Sequence, residues 1–96
     1  MNVSMEELTG KMTEEGIKYR ESNSLMKAVK AAAEHQVSDE QTVMVTPSIK
    51  FIFAKNKLVR FTFGNRNIRV YNPVIKEVTS KKISIQDGDK KYDLRL

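Results

Sequence analysis

The hydrophobic positions change period once along the chain, near residue 41. Before that point they recur every three or four residues and after it every second residue, which predicts helices followed by strands. Met5, Leu8, Met12 and Tyr19 fall on one helical stripe. Ser4 and Glu7 have the spacing of a capping box, in which side chains satisfy orphan backbone donors at a helix start. Glu6 and Glu7 stand where the helix dipole favours anions. Glu7 with Lys11 and Glu14 with Lys18 are spaced as favourable i,i+4 pairs. Gly16 is placed to end this helix, so its two readings are 5–15 and a longer 5–20. The polar segment from Arg20 to Ser24 reads as a loop, with Asn23 or Ser24 capping a second helix. Leu25, Ala28, Val29, Ala32 and Ala33 form the apolar stripe of that helix, which runs to Gln36.

The extended half has the clearer pattern. Thr42 to Thr46 is a run rich in β-branched residues, stopped by Pro47. Ile49, Phe51 and Phe53 alternate with Lys50, Ile52 and Ala54; Val59, Phe61 and Phe63 alternate with Leu58, Arg60 and Thr62. A three-residue loop at Lys55-Asn56-Lys57 sets Phe53 opposite Val59, Phe51 opposite Phe61 and Ile49 opposite Phe63. Gly64-Asn65 suits a two-residue type II′ turn, because glycine comes first. That turn sets Phe61 opposite Ile68, Val59 opposite Val70 and Arg60 opposite Arg69. Asn72-Pro73 interrupts the pattern, Val74 to Thr79 resumes it, and two short strands flank the turn Asp87-Gly88-Asp89.

These elements predict an α+β fold: two N-terminal helices packed on one face of an antiparallel sheet of five or six strands. A small, partly open barrel is the alternative. The expected core is Leu8, Met12, Leu25, Val29, Ala32, Ile49, Phe51, Phe53, Val59, Phe61, Phe63, Ile68 and Val70. With 96 residues, about two-thirds of the unfolded surface can be buried, which suffices for one core. The chain is therefore read as a single domain, 1–96.

Charge divides where the period changes. Residues 1–41 carry five Lys/Arg and eight Asp/Glu, whereas residues 42–96 carry twelve and four. The net +5 thus resolves into an acidic helical half and a basic strand half. The chain has no cysteine, which excludes disulfides, thiolate metal sites and cysteine nucleophiles. There is no secretory signal pattern and no apolar run near the roughly 20 residues of a membrane span. A cytoplasmic protein without membrane contact is expected.

Candidate chemistry is sparse. The outward face of the central strands carries Lys50, Arg60 and Arg69, with Tyr71 beside them, and Lys55, Lys57 and Arg66 stand at hairpin tips. Like charges opposite one another on a sheet are unfavourable, and Arg60 facing Arg69 is more easily tolerated if the face meets an anion; the other reading is a solvated outer face whose charges keep the sheet soluble. The four phenylalanines lie on the apolar face and belong to the core. The single histidine, His35, has no second ligand at metal spacing and reads as a helix-end residue. Asp87-Gly88-Asp89 lacks the remaining ligands of a calcium loop and reads as a turn. No phosphate-binding glycine loop, metalloprotease helix or nucleophile elbow occurs. No catalytic, cofactor or metal residue is assigned. The expectation is a small non-enzymatic binding module that uses its basic sheet face or an edge strand on an acidic protein partner. The alternative is a nucleic-acid-binding protein that contacts phosphates through the same face. An edge strand also offers a route to a homodimer.

Overall fold

A computed structural model of the chain describes residues 3–23 and 40–96. Helix α1 (Met5–Glu14) begins as the sequence predicts: Ser4 is the N-cap, and its Oγ accepts the Glu7 N–H at 3.1 Å. It ends at the shorter of the two expected positions. Gly16 takes a left-handed φ of 73°. The Ile17 and Gly16 N–H groups then donate back to the Met12 and Thr13 carbonyls at 2.8 and 3.0 Å. This is the paired bonding of a Schellman motif, which only a residue tolerant of positive φ closes cheaply. Leu8 and Met12 are buried, while Glu6, Glu7, Lys11, Glu14 and Glu15 are exposed. Among the described residues no ion pair joins Glu7 to Lys11 or Glu14 to Lys18.

Eight strands follow: β1 (Arg20–Asn23), β2 (Glu40–Thr46), β3 (Ile49–Ala54), β4 (Lys57–Phe63), β5 (Arg66–Arg69), β6 (Pro73–Val78), β7 (Lys82–Asp87) and β8 (Lys90–Arg95). They form two antiparallel sheets, β1-β2-β3-β4-β5 and β6-β7-β8. The expected two helices on one five- or six-stranded sheet are therefore corrected. Among the described residues there is one short helix, and the strands divide between two sheets. The second helix, with Leu25, Val29, Ala32 and His35, lies outside the described residues.

Two local features account for the correction. Arg20–Asn23, expected as a loop, is an edge strand paired residue by residue with β2. Its pairing is made by backbone groups, so its polar side chains carry no alternation to read. The second feature is the corner after β5. The Asp87 carboxylate accepts the N–H groups of Tyr71 and Asn72, the latter at 2.7 Å. Pro73, which has no N–H to offer a continuing ladder, opens β6. The chain turns away at this corner and starts a new sheet instead of extending the first.

The central register holds with one refinement. Ile49 pairs with Phe63 and Phe51 with Phe61, as expected. The β4–β5 hairpin sets Phe61 opposite Ile68 and Arg60 opposite Arg69, with Gly64 at φ 65°. At the β3–β4 turn, however, only Lys55 and Asn56 form the loop, at φ 52° and 64°, the positive pair of a type I′ turn. Phe53 then faces Leu58, and Val59 becomes the extra residue of a bulge. The bulge reconciles a two-residue turn with a single apolar face and turns Leu58 into the core. The Leu58 N–H donates to the Val3 carbonyl at 2.9 Å, and Asn56 Oδ1 accepts the Met5 N–H at 3.1 Å. The start of α1 is thus fastened to this hairpin.

One core joins all three layers. Leu8 and Met12 of the helix meet Val43, Ile49, Phe51, Phe53, Leu58 and Phe61 of the larger sheet and Ile83, Ile85 and Leu94 of the smaller. The rings of Phe61 and Tyr92 meet edge to face across the two sheets at 5.3 Å. Val59, Phe63 and Ile68, expected in the core, are half-buried at its margin.

Candidate functional site

Antiparallel pairing places the outward side chains of the larger sheet in rows across the strands. One row runs Arg20, Met44, Lys50, Thr62, Asn67, and the next runs Ser22, Thr42, Ile52, Arg60, Arg69. Cations therefore occur on four of the five strands. Arg20 and Lys50 stand two strands apart, about 10 Å between backbones. Lys50 and Arg60 are diagonal neighbours on adjacent strands, about 7–8 Å apart.

This face is concave. A hollow of about 530 Å³ is lined by Arg20, Glu21, Ser22, Thr42, Lys50, Arg60 and Thr62, together with half-buried Met44 and buried Ile52. Ile52 is only 4% exposed although it points away from the main core. The lining is thus mixed: Met44, several hydroxyls, three cationic groups and the Glu21 carboxylate border one space. A neighbouring hollow at the start of β1 shares Arg20 and Met44 with it and adds Lys18, Tyr19 and Pro47.

The charges on this face are only partly matched. Arg60 lies 4.0 Å from Glu40 and donates to Asn67 Oδ1 at 3.4 Å. Among the described residues Arg20, Lys50 and Arg69 have no ion-pair or hydrogen-bond partner. The sequence explains the shortage: between Glu40 and Glu77 the chain carries seven Lys/Arg and no Asp or Glu.

The expected site residues separate into two groups. Lys50 and Arg60 line the hollow, and Arg69 faces Arg60 across β4 and β5. Tyr71 does not continue that row. It follows the end of β5, is 78% exposed, and is held through its backbone N–H by Asp87. Lys55 and Lys57 are exposed at the hairpin to which α1 is fastened. Arg66 lies at the opposite end of β4, about 20 Å along the strands. Arg20, Thr42, Met44 and Ile52 were missed by sequence reasoning. Arg20 had no signal beyond a polar four-residue stretch, and Ile52 read as the apolar exception on an outward face. Asp87, expected only as a turn residue, is the acceptor that shapes the corner after β5.

No family model, curated protein or solved structure matches the chain. Among the described residues no helix is long and apolar enough to cross a membrane.

Proposed function

We propose that this chain is a non-enzymatic binding module that receives an acidic segment of a partner protein on the outward face of its larger sheet. The observation that supports this most is Arg69. It faces Arg60 directly, lacks a partner among the described residues, and stands where like charges destabilise a sheet. A carboxylate from outside relieves that contact. Half-buried Met44 on the same face suits an aliphatic side chain between acidic ones.

The same cations suit phosphates, and exposed Tyr71 is the feature that favours a nucleic acid. Modules that hold single strands usually add aromatic rings on which bases stack. The two rows of the outward face carry none among the described residues, which favours a peptide.

A labelled peptide of alternating Glu and Val and a labelled oligothymidine of equal charge would be titrated at low and moderate salt. The peptide is expected to bind more tightly, with affinity falling as salt rises. The double variant Arg60→Glu, Arg69→Glu is expected to abolish binding while leaving the circular dichroism spectrum unchanged. Tighter binding of the oligonucleotide, or undiminished peptide binding by the double variant, would overturn the proposal.

A further inference from the structure

We infer that the acidic segment binds as an added strand along the free edge of β5. This rests on the proposal above and specifies how the segment is held. The hydrogen-bond pattern decides which groups are offered. In a two-residue hairpin the pair flanking the turn is hydrogen-bonded, and bonding then alternates along the ladder. Phe63 and Arg66 flank the turn, so Arg66 and Ile68 direct their backbone groups to β4. The Val70 N–H, which donates to the Val59 carbonyl at 3.0 Å, continues that alternation. Asn67 and Arg69 therefore direct N–H and C=O outwards, where among the described residues no strand of the sheet follows β5.

The side chains at this edge specify the partner. A residue paired opposite Arg69 places its side chain on the same face as Arg69 and Arg60. A Glu or Asp there meets the unmatched guanidinium. Two residues along, a second outward side chain lies beside Asn67. The residue between them points to the other face, next to Ile68, which is half-buried at the core margin. The sequence so selected is acidic, apolar, acidic or polar, in an extended segment. Backbone pairing supplies affinity and the alternate side chains supply specificity, as in other strand-addition complexes.

The other edges match this pattern less well. β1 presents Glu21 beside Arg20, β6 carries Glu77 beside Lys76, and β8 carries Asp93 between Lys91 and Arg95. Only β5 is cationic without an acid. A second copy offers no matching acid, since antiparallel pairing of β5 with itself through its outward groups sets Arg69 against Asn67 or against a second Arg69.

The test uses the whole protein and the Glu-Val peptide in two forms. In one form the peptide's backbone is native; in the other, alternate amides are N-methylated on the edge that would face β5. Both carry the same charges. The native peptide is expected to slow hydrogen exchange at the Asn67 and Arg69 amides and not along β1. N-methylation is expected to weaken binding by about tenfold, the scale of one or two lost hydrogen bonds. Asn67→Pro, which removes an outward N–H and leaves the backbone bonds to β4 in place, should cause a similar loss, and Asn67→Ala, which removes only the side-chain bond from Arg60, should not. Equal binding of the two peptides to the unaltered protein, or protection along β1 instead, would overturn the edge inference while leaving the acidic-partner proposal standing. Failure of both peptides to bind would overturn both.

Discussion

The basic half of the chain folds into two three-stranded meanders, β3–β5 and β6–β8, that treat charge in opposite ways. In β6–β8 the polar groups find one another. Lys82 pairs with Glu77 at 3.5 Å. The buried Ser84 hydroxyl donates to Asp93 at 2.5 Å. That hydrogen bond, assisted by Lys91, Lys82 and Arg95, holds the Asp93 carboxyl below its ordinary range. Asp87 shapes the corner between the sheets. In β3–β5, by contrast, there are six Lys/Arg over residues 49–69 and no acid, and two arginines face each other. The same backbone architecture carries acids among its cations in one meander and none in the other. All four acids of residues 42–96 lie after Pro73, so six of the eight net positive charges of that half fall before it, on the larger sheet. The proposed partner would supply to β3–β5 the acids that β6–β8 carries in its own sequence.

The comparison requires that both meanders share one core, and Phe61 tests this most severely. It is fully buried, 6.0 Å from Phe51 in its own sheet and 5.3 Å from Tyr92 in the other. Phe61→Ala is expected to lower unfolding free energy by about 3–5 kcal/mol, measured from denaturant midpoints. A domain of this size has about 5–15 kcal/mol in total, so the variant should be near the limit of folding. A loss below about 1 kcal/mol would mean that the two sheets do not depend on a common interior.

The corner between the meanders comes next in magnitude. Asp87 accepts two backbone N–H groups from the segment that leaves β5. Asp87→Ala leaves both without that acceptor and is expected to cost about 1–3 kcal/mol, as for hydrogen bonds to a charged group. Asp89, two residues on and exposed, is the control: Asp89→Ala should stay within about 0.5 kcal/mol. Equal effects at both positions would remove the corner as the reason the strands divide into two sheets.

How much of this was legible in the sequence depended on whether a residue's neighbours were local. Ser4, Glu7 and Gly16 are read within one helical turn of themselves; the start of α1 followed, and the structure chose the shorter of the two ends left open. Phe51, Phe61 and Ile68 sit in strands joined by short turns, so alternation together with the two-residue Gly64-Asn65 turn placed Arg60 opposite Arg69. The bulge at Val59 was not legible, because it depends on Val3 bonding to Leu58 from far along the chain. The division into two sheets depends on Asp87 reaching back to Tyr71 and Asn72, another contact invisible to periodicity. For the candidate site, Lys50, Arg60 and Arg69 were visible because they alternate with core residues. Arg20 was not, because its strand pairs through backbone groups with no hydrophobic alternation of its own. Tyr71 was expected to follow Arg69 by alternation, and the corner removed it from that row.

The smallest expected effect discriminates best between the two meanders, because its sign changes from one to the other. Arg69→Thr replaces one of two facing cations with a residue that suits a strand and is expected to raise stability by about 0.2–1 kcal/mol. Lys82→Thr makes the same kind of replacement in the other meander, but there it removes the partner of Glu77. It is expected to lower stability by about 0.2–1 kcal/mol, the range for a partly exposed ion pair. Using threonine at both sites keeps the gain in strand propensity common to the two variants, so the difference between them reports on charge. Chemical denaturation at low salt, where these interactions are least screened, gives the comparison directly. Two variants that shift stability in the same direction by the same amount would show that the facing arginines carry no strain, and the case for an anionic partner at that position would fall with it. A more stable Arg69→Thr protein that no longer binds the acidic peptide would have the opposite meaning: the arginine is kept at a cost to the fold because the partner needs it.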